Sequence, residues 1–107
     1  MRVVRLKPYL RAMQGMGFRQ DDLGSVEAAI LAAPEAHPLV RGLKGARKAR
    51  IARPGMGKRG GGRVIYYFAD GKGFLAFLLA YSKNEKDDLT ADDRRALLRA
   101  IDTIMLG

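Results

Sequence analysis

Two neighbouring segments rich in β-branched and aromatic residues constrain the fold more than any other part of the sequence. Arg63–Phe68 reads Arg-Val-Ile-Tyr-Tyr-Phe, and Phe74–Tyr81 contains only apolar and aromatic residues. The residues between them, Ala69–Gly73, include an Asp-Gly pair, which is typical of a hairpin turn. We therefore predict an antiparallel hairpin. Its second strand is apolar on both faces and should lie inside the sheet.

Two further strands complete a predicted four-stranded sheet. Arg2–Leu6 alternates weakly and predicts a short first strand, and Ala46–Ala52 predicts a strand that precedes the hairpin. The Pro-, Gly- and Lys-rich stretch Arg53–Gly61 predicts the connection between Ala46–Ala52 and the hairpin.

Two helices are predicted near the N-terminus. Pro8 suits the first turn of a short helix that runs to about Met13 and ends at the following glycines. Asp21 or Asp22 predicts the N-cap of a second helix, which has apolar residues on one face and which Pro34 stops.

The C-terminal segment predicts a third helix. Thr90 is a good N-cap, and Asp93 three residues later completes a variant of the capping box. Apolar residues then recur on one helical face, namely Leu97, Leu98, Ile101, Ile104 and Met105. The order of elements predicts a single α+β domain over residues 1–107, with two N-terminal helices and a C-terminal helix around an antiparallel-rich four-stranded sheet.

Positive charge is concentrated in one part of the chain. Nine of the 20 Lys and Arg residues lie between Arg41 and Arg63, where there is no Asp or Glu, and the remaining eleven are matched by eleven acidic residues. This segment therefore carries a charge equal to the whole net charge of +9. A concentrated positive field favours a polyanionic partner, with nucleic acid first and an acidic protein second.

The usual catalytic and cofactor-binding groups are missing from the sequence. There is no cysteine, and the single histidine, His37, cannot form a histidine-based metal site. Gly55–Gly60 matches G-x-G-x-x-G but leads into a strand rather than a helix, which is the wrong context for a dinucleotide site. The acidic residues on either side of Thr90 are more typical of a helix N-terminus than of a metal cluster. We therefore expect neither a metal nor a cofactor.

No segment is typical of export or of membrane insertion. Met1–Arg11 lacks the apolar core of a signal peptide, and the longest apolar run, Phe74–Tyr81, is too short to cross a bilayer. The absence of cysteine suits a reducing compartment. We therefore predict a cytoplasmic protein that has no membrane partner.

A set of basic and aromatic residues should converge on one face of the sheet. Lys48 and Arg50 share a face of their strand because side chains alternate between faces. Arg63 begins the next strand, and Tyr81 and Lys83 end the last one. Three consecutive antiparallel strands would place these five side chains near one phosphate or two adjacent ones. A basic face that only binds phosphate, without chemistry, is the alternative.

Three sequence motifs resemble a known family. Gly45–Ala52 reads GARKARIA, Gly57–Phe68 reads GKRGGGRVIYYF, and Tyr81–Thr90 reads YSKNEKDDLT. Together they resemble the motif series of the RelE/ParE toxin superfamily, in its HigB-type branch, and the likeness runs from about Gly42 to the end of the chain.

This resemblance implies a toxin of a type II toxin–antitoxin system that inhibits translation. The implied activity is that of an mRNA interferase, a metal-independent hydrolase that cuts mRNA on the ribosome by attack of the ribose 2′-hydroxyl on the adjacent phosphate. The implied partners are mRNA on the ribosome and a cognate antitoxin of the helix-turn-helix type. By motif position the catalytic residues are Lys48, Arg50, Arg63, Tyr81 and Lys83, and we assign RNA binding to Arg47, Lys58, Arg59 and Lys86. Which residue acts as general acid or base stays open.

Two other functions are compatible with the same features. A ParE-like toxin of the superfamily would bind and inhibit DNA gyrase without cutting RNA, and the basic set at Lys48, Arg50 and Arg63 argues against it. A plain nucleic-acid-binding module would bind without toxicity.

Overall fold

The described part of the chain forms a four-stranded sheet covered by three α-helices. The computed structural model describes residues 1–55 and 57–106, with the backbone alone for residues 57–60. The elements are, in chain order, β1 (Arg2–Arg5), α1 (Lys7–Gly15), α2 (Gln20–Ala32), β2 (Ala46–Arg53), β3 (Gly57–Ala69), β4 (Phe74–Ser82) and α3 (Ala91–Leu106). The strands lie in the order β1-β4-β3-β2, with β1 parallel to β4 and the other pairs antiparallel. The predicted α+β class and the internal position of β4 are confirmed.

Each face of the sheet is covered by helix. One core, under α1 and α2, contains Tyr9, Met13, Ile30, Tyr66 and Phe77, and the rings of Tyr9 and Phe77 stack at 5.0 Å. The other core, under α3, contains Ile65, Leu78, Tyr81, Leu97 and Ile101. Because both faces of β4 are buried, its sequence shows no alternation of polar and apolar residues.

β3 is longer than the sequence predicts. The stretch Arg53–Gly61 was expected to be a connection, but β3 begins at Gly57, and Arg53 pairs with Gly57 after an irregularity in the ladder. Glycines and basic residues have low strand propensity, so local sequence favours a loop here. Pairing with neighbouring strands overrides that preference: Gly62 lies between Ile51 on β2 and Ser82 on β4.

The hairpin between β3 and β4 is present, but its turn differs from the predicted one. Asp70–Lys72 forms a single 3-10 turn, and the left-handed residue is Gly73, with φ of +68°. The predicted Asp70-Gly71 pair therefore lies in the turn, but the residue with positive φ is Gly73. Glycine adopts this conformation without a steric penalty.

A β-bulge shifts the alternation of β4. Ile65 pairs with Leu79 and Tyr66 pairs with Phe77, which leaves Leu78 as an extra residue. Leu78 and Leu79 both contact the core under α3, so the residues after the bulge lie on the face opposite to the one that strict alternation gives. Tyr81 consequently faces α3 rather than α1.

The two long helices begin with carboxylate caps. Thr90 and Asp93 cap α3 reciprocally, since the Asp93 N–H donates to Thr90 Oγ1 at 3.0 Å and the Thr90 N–H donates to Asp93 Oδ2 at 2.9 Å. This confirms the predicted capping box. For α2 the predicted N-cap is wrong by two or three residues: Arg19 is the N-cap, and the Asp22 carboxylate accepts its N–H from inside the first turn at 2.9 Å.

A buried carboxylate joins β1, α1 and α2. Glu27 is 4% exposed, and its Oε1 accepts from Arg5 Nη2 at 2.7 Å while its Oε2 accepts from the Tyr9 hydroxyl at 2.8 Å. Burial raises the pKa of Tyr9, and the hydrogen bond to Glu27 adds to that rise, so the hydroxyl stays a donor. These hydrogen bonds replace the water that the Glu27 carboxylate loses on burial, and without them its burial would destabilise the fold.

No helix in the described ranges is both long enough and apolar enough to cross a membrane.

Glu27→Ala should lower the free energy of unfolding by about 3 kcal/mol, because it leaves the Arg5 guanidinium and the Tyr9 hydroxyl without their acceptor. Urea denaturation measures this. Glu35→Ala, at an exposed glutamate, is the matched control and should change stability by less than about 0.5 kcal/mol. Equal losses in the two variants would contradict a structural role for the Glu27 network.

Candidate nucleic-acid interface

Three of the predicted residues form a row across the sheet. Arg50 on β2 pairs with Arg63 on β3, and Arg63 pairs with Tyr81 on β4. Directly opposed residues project to the same face, with β-carbons about 5 Å apart. The row lies on the face that α3 covers, beyond the N-terminal end of that helix. The structure thus brings these residues together as the sequence predicts.

A cavity of about 420 Å³ lies at the end of this row. Its lining includes the side chains of Arg50, Arg63 and Lys83, together with Ile51, Ala52 and Gly61. Lys83 follows β4, and its N–H donates to the Gly61 carbonyl at 3.0 Å, so the strand pairing continues to it. Two arginines and a lysine thus share one cavity, and none of the described residues that line it is acidic.

Opposed arginines repel each other, so this pairing weakens the sheet unless an anion lies between them. The Arg63 guanidinium is held by its own strand, because Nη1 donates to the Gly62 carbonyl at 3.0 Å. Its planar fork keeps further N–H groups for an oxyanion. The arrangement is therefore suited to binding a phosphate.

Gly62 allows the strands to approach closely beside the cavity. A β-carbon at this position would lie 3.2 Å from Met16 Sδ, 3.3 Å from Ile51 Cγ1 and 3.3 Å from the Tyr81 carbonyl oxygen. A side chain there would press on backbone as well as on side chains, so we expect glycine to be needed at this position.

Tyr81 is buried, which the sequence did not predict. The residue is 1% exposed, and its hydroxyl has no hydrogen-bond partner within the described residues. Burial raises the pKa of Tyr81, the Asp88 carboxylate adds to the rise, and Arg63 opposes it. The hydroxyl is therefore protonated near pH 7 and does not act as a base.

Lys48 and Lys86 border the row but already have carboxylate partners. Lys48 Nζ lies 3.8 Å from Asp88 Oδ1, and Lys86 Nζ lies 2.8 Å from Asp93 Oδ2. Lys86 also lies over the Tyr81 ring, 5.6 Å from its centroid. Burial would raise the pKa of Asp93, but hydrogen bonds from Lys86 and Thr90 outweigh it and lower that pKa.

The remaining predicted RNA-binding residues do not join this cavity. Arg47 lies on the opposite face of β2, where Nη1 donates to the carbonyls of Glu35 at 3.1 Å and His37 at 2.8 Å and so holds the loop before the strand. The side chains of Lys58 and Arg59 are outside the described part of the structure.

The charged segment is thus divided between two faces of the sheet. Arg53 lies on the α1 side, where Nη1 donates to Ser82 Oγ at 3.2 Å and Nη2 to the Met16 carbonyl at 3.5 Å. Lys44 pairs with Asp102 on α3 at 2.7 Å. Several of the nine basic residues therefore hold the fold together and do not contribute to one continuous patch.

Sequence reasoning missed two charged residues beside the row, Asp88 and Arg94. Asp88 was interpreted as part of the negative charge at a helix N-terminus, and Arg94 was not singled out. Asp88 contacts both Lys48 and Arg94. The only sequence signal was a carboxylate two residues before Thr90, which also fits a cap. Among the described residues, no group of three His, Cys, Asp or Glu side chains is placed to hold a metal.

The structure is thus a small basic α+β domain with a cationic cavity at one end of its sheet. Its family follows from comparison with known proteins. The family model for the RelE toxin of the RelE/RelB toxin–antitoxin system matches residues 1–106. The chain therefore belongs to the RelE toxin family, and it is the toxin of a toxin–antitoxin pair with an antitoxin as partner.

A solved structure agrees with this fold. The chain is similar to a double arginine-to-alanine mutant of E. coli toxin RelE in the free state, with 14% sequence identity and a TM-score of 0.62. The match covers 94% of this chain and 96% of that one. At this identity the likeness shows a shared fold.

Tyr81→Phe should leave the free energy of unfolding unchanged or raise it by up to about 1 kcal/mol, because it removes a buried hydroxyl that has no partner. Tyr66→Phe is the matched control: its hydroxyl donates to the Pro34 carbonyl at 2.6 Å, so its loss should cost about 1 kcal/mol. Urea denaturation distinguishes the two, and a larger loss for Tyr81→Phe would mean that its hydroxyl has a partner.

Proposed function

We propose that this toxin is a ribosome-dependent mRNA endoribonuclease of the HigB type, which inhibits translation. The observation that supports the proposal most strongly is the cavity lined by Arg50, Arg63 and Lys83, in which no described lining residue is acidic. Membership of the RelE toxin family supports the same conclusion. The requirement for the ribosome and the HigB-type branch rest on the sequence motifs.

The chemistry needs little machinery because RNA carries its own nucleophile. The ribose 2′-hydroxyl attacks the adjacent phosphorus, the P–O5′ bond breaks, and a 2′,3′-cyclic phosphate and a 5′-hydroxyl result. Alignment of the 2′-oxygen and stabilisation of the charge on the phosphorane are the large contributions. Arg50 and Arg63 are suited to stabilisation, because a guanidinium grips two phosphate oxygens and stays charged.

Proton transfer falls to lysine and tyrosine side chains in this proposal. Lys83 lines the cavity and Lys48 lies two residues from Arg50 on the same face, so each is a candidate for the proton acceptor or donor. The raised pKa of Tyr81 keeps its hydroxyl protonated, so a proton is present for the leaving 5′-oxygen once the buried side chain gains access to the RNA. Lys58, Arg59 and Lys86 would contact flanking phosphates.

The helix-turn-helix type of the antitoxin follows from the motif resemblance and is part of the proposal.

Arg63→Ala and Lys83→Ala should each reduce cleavage of a ribosome-bound mRNA by at least about 100-fold, while the fold and the binding of the antitoxin persist. Arg99→Ala, at an exposed arginine on α3, is the matched control and should cleave normally. Primer extension on a programmed ribosome measures cleavage, and circular dichroism checks the fold.

Full toxicity of both variants in bacteria would contradict the assignment of RNA cleavage to this cavity. A gyrase inhibitor of the ParE kind would instead cause gyrase-dependent DNA damage while transcripts stay intact, and a plain binding module would produce neither effect.

Binding of a non-cleavable RNA should weaken steeply with salt. If about four to six phosphates are neutralised, log affinity should fall against log salt with a slope of about −3 to −4. Fluorescence anisotropy with a 2′-O-methyl oligonucleotide measures the slope. A flat response would mean that the cationic face does not bind RNA.

A further inference from the structure

Asp88 places a carboxylate between two cations that belong to different elements. Its Oδ1 lies 3.8 Å from Lys48 Nζ on β2, and its Oδ2 lies 3.9 Å from Arg94 Nη2 on α3. Both distances exceed the 2.7–3.2 Å range of a direct N–H···O bond. Attraction between the charges therefore holds Asp88 here without a hydrogen bond to either cation.

Both cations belong to elements whose positions do not depend on Asp88. Arg94 Nη1 donates to the Arg41 carbonyl at 2.9 Å, which fixes the guanidinium. The Lys48 backbone is fixed by strand pairing, and its N–H donates to the Pro38 carbonyl at 3.0 Å. If the carboxylate moved away, the Arg94 guanidinium would stay in place and the Lys48 side chain would still extend from the same face of β2.

The Asp88 side chain is free to move while its neighbour is anchored. It is 59% exposed, and its contact besides the two cations is a hydrogen bond from the Leu89 N–H to Oδ1 at 2.7 Å. Leu89 is 8% exposed and belongs to the core under α3. A rotation of the Asp88 side chain therefore vacates the position between the cations without unfolding the segment.

We propose that Lys48 and Arg94 form a phosphate-binding site for the RNA backbone, and that Asp88 occupies this site as an internal anion until RNA displaces it. The proposal rests on the function proposed above and adds Arg94 and Asp88 to its RNA-binding surface. Each carboxylate oxygen faces one cation, and the two non-bridging oxygens of a phosphodiester can make the same contacts.

The location fits a phosphate next to the one in the cavity. Lys48 lies two residues from Arg50 on the same face, which is about 7 Å along the strand. The RNA chain would therefore run from the cavity past Lys48 towards the N-terminal turn of α3.

Asp88→Asn should strengthen binding of a non-cleavable 2′-O-methyl RNA about three- to tenfold. The reason is that the RNA phosphate no longer has to displace a carboxylate from Lys48 and Arg94. Fluorescence anisotropy measures the affinity at a fixed salt concentration. Asp87→Asn is the matched control: it removes the same charge from the neighbouring exposed position and should change the affinity less than about twofold. The gain should disappear when Asp88→Asn is combined with Arg94→Met.

Three results would overturn the proposal. Equal gains from Asp87→Asn and Asp88→Asn would mean that only net charge matters. A gain that survives Arg94→Met would remove Arg94 from the site. An unchanged or weaker affinity for Asp88→Asn, with or without loss of cleavage, would show that no phosphate replaces this carboxylate.

Failure of this site is distinguishable from failure of the proposed function, because the RNA probe cannot be cut. If the wild-type protein cleaves no mRNA but Asp88→Asn still binds the probe more tightly, the endoribonuclease proposal fails and the phosphate site stands. If the wild-type protein cleaves mRNA and Asp88→Asn gains nothing, the reverse holds.

Discussion

The pairing of β3 with both of its neighbours is the constraint on which the rest of the molecule depends. Arg50, Arg63 and Tyr81 lie side by side because β3 is antiparallel to β2 on one edge and to β4 on the other. A shift of one residue in either pairing would turn one member of this row to the opposite face. The register therefore positions the cavity, and the helices stabilise the register by burying both faces of the sheet.

The positive charges of the cavity lower the stability of the fold, and the structure limits this repulsion to one place. Opposed arginines and a lysine destabilise a sheet that has no anion bound. Other charges nearby are compensated, since Lys86 pairs with Asp93 and Lys48 lies beside Asp88. Repulsion is thus confined to the place where a phosphate would relieve it, which is the pattern expected when a site gives up stability for function.

Much of the fold could be predicted from local signals. The apolar run of β4, the Thr90 and Asp93 cap, and the hairpin between β3 and β4 each depend on a few adjacent residues, and the structure contains all three. The bulge at Leu78 and the early start of β3 at Gly57 depend on pairing partners far along the chain, so local patterns do not reveal them. The orientation of Tyr81 towards α3 follows from the same bulge.

The basic residues of the proposed site could be predicted from the sequence, but the position of the Asp88 carboxylate could not. Alternation places Lys48 and Arg50 on one face, and motif likeness adds Arg63 and Lys83. Asp88 lies in the segment between β4 and α3, and its approach to Lys48 depends on how α3 packs on the sheet. A periodic pattern within one helix or strand contains no information about that contact.

We propose that this cavity cuts messages during translation, and mapping of transcript 5′ ends after brief expression in bacteria would detect such cuts. We expect new 5′ ends within translated regions of a reporter, and we expect them to disappear when the start codon of the reporter is removed. Unchanged transcripts, or cuts that persist without translation, would contradict it.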